Sequence, residues 1–579
     1  MTEVPIDPAS VAPLAAVPAA ARSGRRLKAG AVTAIAVLAT VIIAVLSWLP
    51  ERRLADSLFV AALSLTVGAL VALLSRRVLL ATVSAVAVLA FVYAAAVIKQ
   101  DVTDLGLHAY DVVSLLRSRD AIAALWFEHR GYVAGVIVAL VAAPLLGWLA
   151  WRLDGTRIDR THALAAALGF AALVWVGAVV RGERLHTEFH YTDHHLTFFF
   201  LSWSETIEAL WRGHVMEAAP RAPGAKLRVA AGCEAASKPP HIILIHQESV
   251  VPPSHFPALR YDISIDPFFR SHDGKLYKLR VETYGGASAL TEFSVMTGLS
   301  SFSSGGLRYF IQSVMTGKVR ETLPQALARC GYRNVAIYPM LRLYLSIGRF
   351  FTATGFHQML DAKDQRAPSA NERDSFYFGS ALAEMERHFK ASRQPLFVFI
   401  ETMATHGSYD YVYMPEVDVP GGGPGTPALM HEFLRRLSMA RMDYDGMRAE
   451  LARRFPDERF LIVHYGDHQP LATLPLLGFN ENASIEEVMR SGNQAALITY
   501  YAVDGVRYTP PPLPPVDTLD VPYLGTVILE AAGLPLSDVY RERKRLMMLC
   551  NGRYHDCPAR NEIPAFHRRL IDSGIIDAL

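Results

Sequence analysis

The sequence predicts an α/β protein in two parts: an N-terminal bundle of five transmembrane helices, then an α/β sandwich domain held outside the cytoplasm. Three observations predict it. Five long apolar runs crowd the first third of the chain, strand-like and helix-like segments alternate from His241 onward, and two strand-like runs end in residue types that bind metals. Composition agrees, because 579 residues exceed one ordinary domain and 51% hydrophobic residues with a positive mean hydropathy exceed what a soluble chain needs. A net charge of +2 gives no reason to expect nucleic acid as a partner.

In chain order, residues 1–30 are Ala/Pro-rich and read as a disordered cytoplasmic tail ending in Arg22, Arg25, Arg26 and Lys28. The transmembrane part, 31–181, holds apolar runs near Ala31–Leu49, Leu58–Leu74, Val78–Ile98, Val133–Trp151 and Ala163–Val180, each long enough to cross about 30 Å of hydrocarbon. The basic flank before the first run places the N-terminus inside, and five spans then put everything after Arg181 on the other side. The loop from Lys99 to Arg130 carries amphipathic stretches at Val112–Leu116 and Ile122–Trp126, suited to the membrane surface.

Residues 182–240 read as a juxtamembrane helix and linker. His186, His190 and His194 have helical spacing, which allows a second metal site. The other reading is the polar face of an interfacial helix whose Phe198, Phe199, Phe200, Trp203 and Trp211 sit at headgroup level.

Residues 241–548 carry the strand and helix alternation, with 549–579 as a C-terminal extension. His241–Ile245 and Phe460–Val463 are short runs rich in β-branched residues that read as buried strands. Glu248 follows the first, Asp467 and His468 the second. Functional groups gather beyond the carboxyl ends of strands in open α/β sheets, so these three are expected to converge as ligands of one divalent ion. Between them Gly285 and Gly286 make a tight turn, and Ser288 opens a segment whose Leu290, Phe293, Val295, Met296 and Leu299 suit a buried helix. A serine there is commonly a plain cap, yet the same place welcomes a phosphate beside the hydroxyl. Thr291 is the competing hydroxyl. Thr322–Cys330 and Phe376–Phe389 read as helices, Val335–Tyr338 and Leu396–Ile400 as strands, and a long amphipathic helix runs up to Phe455.

Four stretches together resemble the lipoteichoic acid synthase and periplasmic-glucan phosphoglycerol transferase branch of the alkaline phosphatase/sulfatase superfamily: IHQESV (Ile245–Val250), GGASALTEFSVMTGL (Gly285–Leu299), TMATHG (Thr402–Gly407) and YGDHQP (Tyr465–Pro470). The resemblance implies an alkaline-phosphatase-like domain in which Glu248, Ser288, Asp467 and His468 hold one divalent metal ion, Ser288 is the nucleophile, and His406 contacts the substrate phosphate. Mn²⁺ or Mg²⁺ suits such an oxygen-rich shell, with Zn²⁺ also compatible. Most members carry Thr at the nucleophile, so Ser288 is a chemically mild departure; its distance of four residues from Glu292 follows the family.

The implied activity is transfer of a phosphoglycerol-type head group from a phospholipid donor to a cell-envelope glycan or lipid. The implied enzyme is multi-pass in the cytoplasmic membrane, with its catalytic domain on the periplasmic or extracellular side. Lipoteichoic acid synthases hold the glycerol phosphate with an aromatic-Asn-Arg motif. Here the corresponding Leu343–Ile347 lacks the Arg, with Arg342 and Arg349 as neighbouring substitutes, so phosphoethanolamine transfer is the nearest alternative and a phosphodiesterase-type hydrolase another. Sulfatase activity would need Cys or Ser followed by x-Pro-x-Arg, and Ser288-Ala-Leu-Thr-Glu has neither Pro nor Arg. All four cysteines fall in the outer part. Cys550–Cys557 is the expected disulfide, zinc binding being the alternative without CxxC spacing to support it.

Overall fold

The structure, a computed structural model, describes residues 54–103, 106–117, 130–181, 195–212, 215–229, 232–233, 238–344, 347–369, 371–419 and 428–577, with a few isolated positions besides. The expected first span, Ala31–Leu49, and His186, His190 and His194 lie outside them. The described residues fall into two compact units, those within 1–94 and 134–179, and those within 95–133 and 180–579.

Among the described residues four helices are long and apolar enough to cross a membrane: Leu54–Ser75, Val78–Asp101, Arg130–Leu153 and Arg160–Val179. They match the second to fifth expected spans. Their connections interlock at one end of the first unit. The Asp154 carboxylate accepts from Leu79 N at 2.7 Å and Thr156 N at 2.8 Å, Arg76 O accepts from Ile158 N at 3.0 Å, and the Arg77 guanidinium stacks on Trp151 at 4.1 Å. The two connections expected on the inner side thus share one polar knot, in which each carboxylate and carbonyl finds a donor.

The second unit is built on a mixed eight-stranded sheet in the order β4-β3-β5-β1-β6-β7-β2-β8. The strands are β1 His241–Gln247, β2 Tyr277–Arg280, β3 Arg333–Ile337, β4 Gln358–Leu360, β5 Leu396–Glu401, β6 Phe460–Gly466, β7 Ile498–Val506 and β8 Thr518–Asp520. β1 is parallel to both β5 and β6, while β7 runs antiparallel to β6 and β2. Strand interiors are apolar on both faces because both are covered. Ile242, Leu244, Phe397, Phe399 and Val463 join the core that holds Leu290, Phe293 and Met296; Ile243, Ile245, Val398 and Ile462 join the core that holds Tyr377, Leu382, Phe433 and Leu437. Each such side chain contributes roughly 1.5–3 kcal/mol of burial.

The expected strands exist but are longer. β1 continues through His246 and Gln247, and β6 through His464, Tyr465 and Gly466, because His246 pairs with Glu401 on one side and Tyr465 on the other. The ladder, rather than the end of the apolar run, decides where each strand stops. Glu248, Thr402 and Asp467 therefore leave three adjacent strands at one level.

The expected helices appear as Leu323–Arg329, capped by Thr322 and Gln325, as Asp374–Ala391, and as Ala428–Arg454. The stretch expected at Val112–Leu116 lies within the helix Ala109–Arg117, and the juxtamembrane helix runs from His195 to Arg212. On the latter Phe198 and Phe199 are buried in protein, which takes these two out of the headgroup-level face, while Trp211 is 89% exposed. Cys550 pairs with Cys557 as expected, and Cys233 pairs with Cys330. The last helix, Glu562–Asp572, sends Ile563, Phe566 and Leu570 into the same core as Leu290, Phe293 and Met296.

Candidate active site

The turn before Ser288 is made by three successive residues of positive φ, Gly285 (68°), Gly286 (156°) and Ala287 (63°). Gly285 also lies against Leu471 and Ile485, where a Cβ would crowd both. The chain thereby reverses into the helix Ser288–Thr297, whose N-cap, Ala287, supplies no side-chain acceptor. Leu290 N turns back onto Ala287 O at 2.9 Å, and with no side-chain cap the first turn suits an anion.

The helix is pinned by burial of Leu290, Phe293, Val295 and Met296, and by its own hydroxyls. Thr291 Oγ1 donates to Asp467 O at 2.8 Å and is fully buried, whereas Ser288 is half-buried and donates from Oγ to Glu248 Oε2 at 2.9 Å. The two candidate hydroxyls thus have different occupations: Thr291 holds the loop of Asp467, and Ser288 faces the carboxylate.

At the strand ends Asp467 Oδ1 accepts from Ser249 N at 2.8 Å and from His468 N at 2.7 Å. Its Oδ2 lies 3.2 Å from His246 Nε2 and 3.4 Å from His468 Nε2, and His468 Nε2 is also 3.3 Å from Glu248 Oε1. His468 Nδ1 is 3.0 Å from Gln469 O, a contact in which Nδ1–H donates and Nε2 is left facing the two carboxylates. Burial opposes charge on Glu248, His246 and His468, and the opposite charges outweigh it. Glu248 is held well below the usual carboxylate range by His468 and His406, and His468 is raised to about 9 by Asp467 and Glu248. His246 is likewise raised by its contact with Asp467, against burial.

A divalent cation fits this arrangement. Asp467 Oδ2 and Nε2 of both His246 and His468 are buried without a hydrogen-bond partner of good geometry, although they face one another. Such atoms are costly unless a charge completes them. His246, Glu248 and Asp467 each offer a ligand atom, all within 4.8 Å of one another. Oxygen donors with imidazole are a hard to borderline donor set, suited to Mn²⁺, Mg²⁺ or Zn²⁺.

His406 stands in the loop after β5. Thr405 Oγ1 donates to Glu248 O, which ties this loop to the end of β1, and the charge of His406 is felt at the Glu248 carboxylate. A second polar group, given no role by the sequence, lies under the helix Ser288–Thr297. Glu292 and Glu401 offer ligand atoms within 4.8 Å of His246; Glu292 accepts from Tyr338 OH at 3.0 Å and Gln312 Nε2 at 2.6 Å. Burial, with the neighbouring Glu292 charge, pushes the Glu401 carboxyl well up, so it keeps its proton and hydrogen-bonds Glu292. The available signal was strand alternation, since His246 and Glu401 are partners in register and share the face covered by that helix.

Residues 240–489 match the family model described as Sulfatase. An uncharacterized protein of Haemophilus influenzae is 23% identical over 243 residues, 40% of this chain and 44% of that protein, so the match spans less than half of the curated relative. Among solved structures, the Streptococcus pyogenes phosphoglycerol transferase GacH in complex with sn-glycerol-1-phosphate has a TM-score of 0.45 at 17% identity, covering 58% of this chain and 85% of that one. The lipoteichoic acid synthase LtaP from Listeria monocytogenes gives 0.38 at 15%, covering 52% and 73%. The lipooligosaccharide phosphoethanolamine transferase EptA from Neisseria meningitidis gives 0.40 at 10%, covering 87% and 97%.

Proposed function

With residues 240–489 a sulfatase-family domain of the alkaline phosphatase superfamily as premise, we propose that the chain is a membrane-anchored, metal-dependent transferase acting through a phosphoserine intermediate. It moves a phosphoglycerol-type head group from a phospholipid to a cell-envelope glycan or lipid on the outer side of the cytoplasmic membrane. The observation that carries this reading is the hydrogen bond from Ser288 to Glu248 beside the buried Asp467–His468 pair.

Glu248, Asp467, His468 and Ser288 would hold the cation, with His246 beside them. When bound, a divalent ion supplies positive charge that lowers the pKa of a hydroxyl and steadies charge on phosphoryl oxygens. The rest falls to the chain. Glu248 Oε2 accepts the Ser288 O–H, leaving the oxygen lone pairs for phosphorus. First-turn N–H groups of the helix and His406 donate to the phosphoryl oxygens as charge builds there. The bond from phosphorus to the lipid oxygen breaks, diacylglycerol departs as an alcohol carrying the proton that Ser288 gave up, and a phosphodiester remains on Ser288. An acceptor hydroxyl then attacks phosphorus in the second step, and its proton returns to Ser288.

Phosphoethanolamine is kept as a second head group because of Arg342. Its guanidinium is engaged by Asp361 at 2.9 Å and by Asp364, which leaves it committed to the protein rather than to a glycerol phosphate. The test is the intact mass of the full chain in detergent with Mn²⁺ and either phosphatidylglycerol or phosphatidylethanolamine. An adduct on the wild type, missing from Ser288→Ala, names both nucleophile and head group. No adduct and no diacylglycerol from either lipid would overturn the transferase reading.

A further inference from the structure

We propose that Arg436 is a positioning residue of this enzyme, fixing His406 where it meets the phosphoryl group. The proposal rests on the reading of His406 given above. Arg436 lies on the helix Ala428–Arg454 and is 1% exposed, among the largest fully buried side chains of the described residues. Its guanidinium is spent on one loop. Nη1 donates to His406 O at 2.6 Å, and Nη2 donates to Ser408 O at 2.8 Å and Tyr411 O at 3.2 Å. The third nitrogen, Nε, donates to Glu432 Oε1 at 2.8 Å.

Tyr409, Tyr411 and Tyr413 surround the same cation, their ring centroids 5.1, 4.8 and 5.1 Å from its central carbon. A planar fork with donors pointing in fixed directions is the one side chain that can gather three carbonyls and stack on rings at once; an ammonium cannot reproduce that geometry. The loop has other anchors on the side before His406: His406 N donates to Met403 O at 3.0 Å, and Ala404 N donates to Asp374 Oδ1 at 2.9 Å. Thr405 ties it to Glu248, and Tyr409 OH donates back to Thr405 O at 2.6 Å. With the His406 carbonyl held by Arg436 and the residue before it held by the strand end, the imidazole leaves a backbone fixed on both sides. A catalytic group displaced by about 1 Å costs about a hundredfold in rate.

Arg436 can be tested without stranding its partner, because Glu432 also accepts from Arg435 Nε at 2.8 Å and from Tyr413 N at 2.9 Å. The experiment uses the full chain in detergent with Mn²⁺, following diacylglycerol release from phosphatidylglycerol and phosphatidylethanolamine for wild type, His406→Ala, Arg436→Gln, Arg436→Lys and the double variant His406→Ala/Arg436→Gln. Metal content and thermal unfolding are recorded for each. The expected result is a loss of about a hundredfold in Arg436→Gln, with Arg436→Lys folded and partly impaired, and metal retained. The double variant should be no slower than His406→Ala alone, since Arg436 acts through His406. Losses that multiply, an unimpaired folded Arg436→Gln, or loss of metal in both Arg436 variants would overturn the proposal while leaving His406 in its role. Full turnover in His406→Ala, or no turnover of either lipid by the wild type, would bring down the underlying reading and this proposal with it.

Discussion

Ser288 Oγ and Glu248 Oε2, 40 residues apart in sequence, are joined by a 2.9 Å hydrogen bond at the mouth of three parallel strand ends. The contact gives the hydroxyl a carboxylate acceptor on one side and uncapped helix N–H groups on the other, the pairing a serine needs to attack an anionic phosphorus centre.

Replacing Ser288 by Ala is expected to lower turnover by at least about a thousandfold and to abolish the covalent adduct, while the domain keeps its unfolding temperature. Ser288→Thr should retain activity, because the γ-oxygen is kept. Substantial turnover by a folded Ser288→Ala chain would remove Ser288 from its role.

Metal dependence is expected on the proposed reading, because Asp467 Oδ2 and His468 Nε2 are buried without a hydrogen-bond partner. Glu248→Gln and Asp467→Asn should each lose bound metal and turnover, and a chelator should silence the wild type until Mn²⁺ is restored. Metal content by mass spectrometry, read beside activity, decides it; activity that survives exhaustive chelation would exclude a metal role.

Gly466, the last residue of β6, lies where an added Cβ would run into the carbonyl of Val250. That neighbour is backbone and cannot swing aside, so Gly466→Ala must shift the strand end that carries Asp467. Loss of metal binding is expected with most of the fold retained, and circular dichroism with metal analysis separates the two. Wild-type metal content in this variant would show that the strand end yields.

Stability should depend on pH through Asp374, which accepts from Met403 N at 3.2 Å and Ala404 N at 2.9 Å just ahead of His406. Burial pushes its carboxyl up to about 7, above its unfolded value of 3.8. The folded chain therefore holds a proton that the unfolded chain has released. The contribution is fully present below about pH 4 and declines as pH rises toward 7, by at most about 4 kcal/mol. Asp374→Asn does not titrate, so its unfolding temperature should fall less than that of the wild type between pH 4 and 7. Parallel curves for the two proteins would refute the assignment.

Much of the fold was legible because its signals are local. Apolar runs of membrane length, β-branched runs ending in Glu248 and Asp467, and two glycines before a helical pattern each lie within a few residues. Strand ends were misplaced by two or three residues, since His246, Tyr465 and Gly466 stay in the sheet through pairing with distant partners rather than through their own hydropathy. Thr291 and Ser288 could not be separated by propensity, because both suit the start of a helix; the occupation of Thr291 by Asp467 O separates them.

The sequence by itself determined the order along the chain of the candidate groups, Glu248, then Ser288, then Asp467 and His468, and the residue types suited to a hard cation. All of these depend on composition, period or short spacing. The tertiary structure alone decided which side chains stand together around the candidate site: His246 against Asp467, Glu401 beside Glu292 with its carboxyl pushed up by burial, and Arg436 on the carbonyl of His406. Those pairings join residues brought level by parallel register and by helices laid across opposite faces of one sheet. Contacts of that kind leave no period or spacing in the chain, so only the folded molecule expresses them.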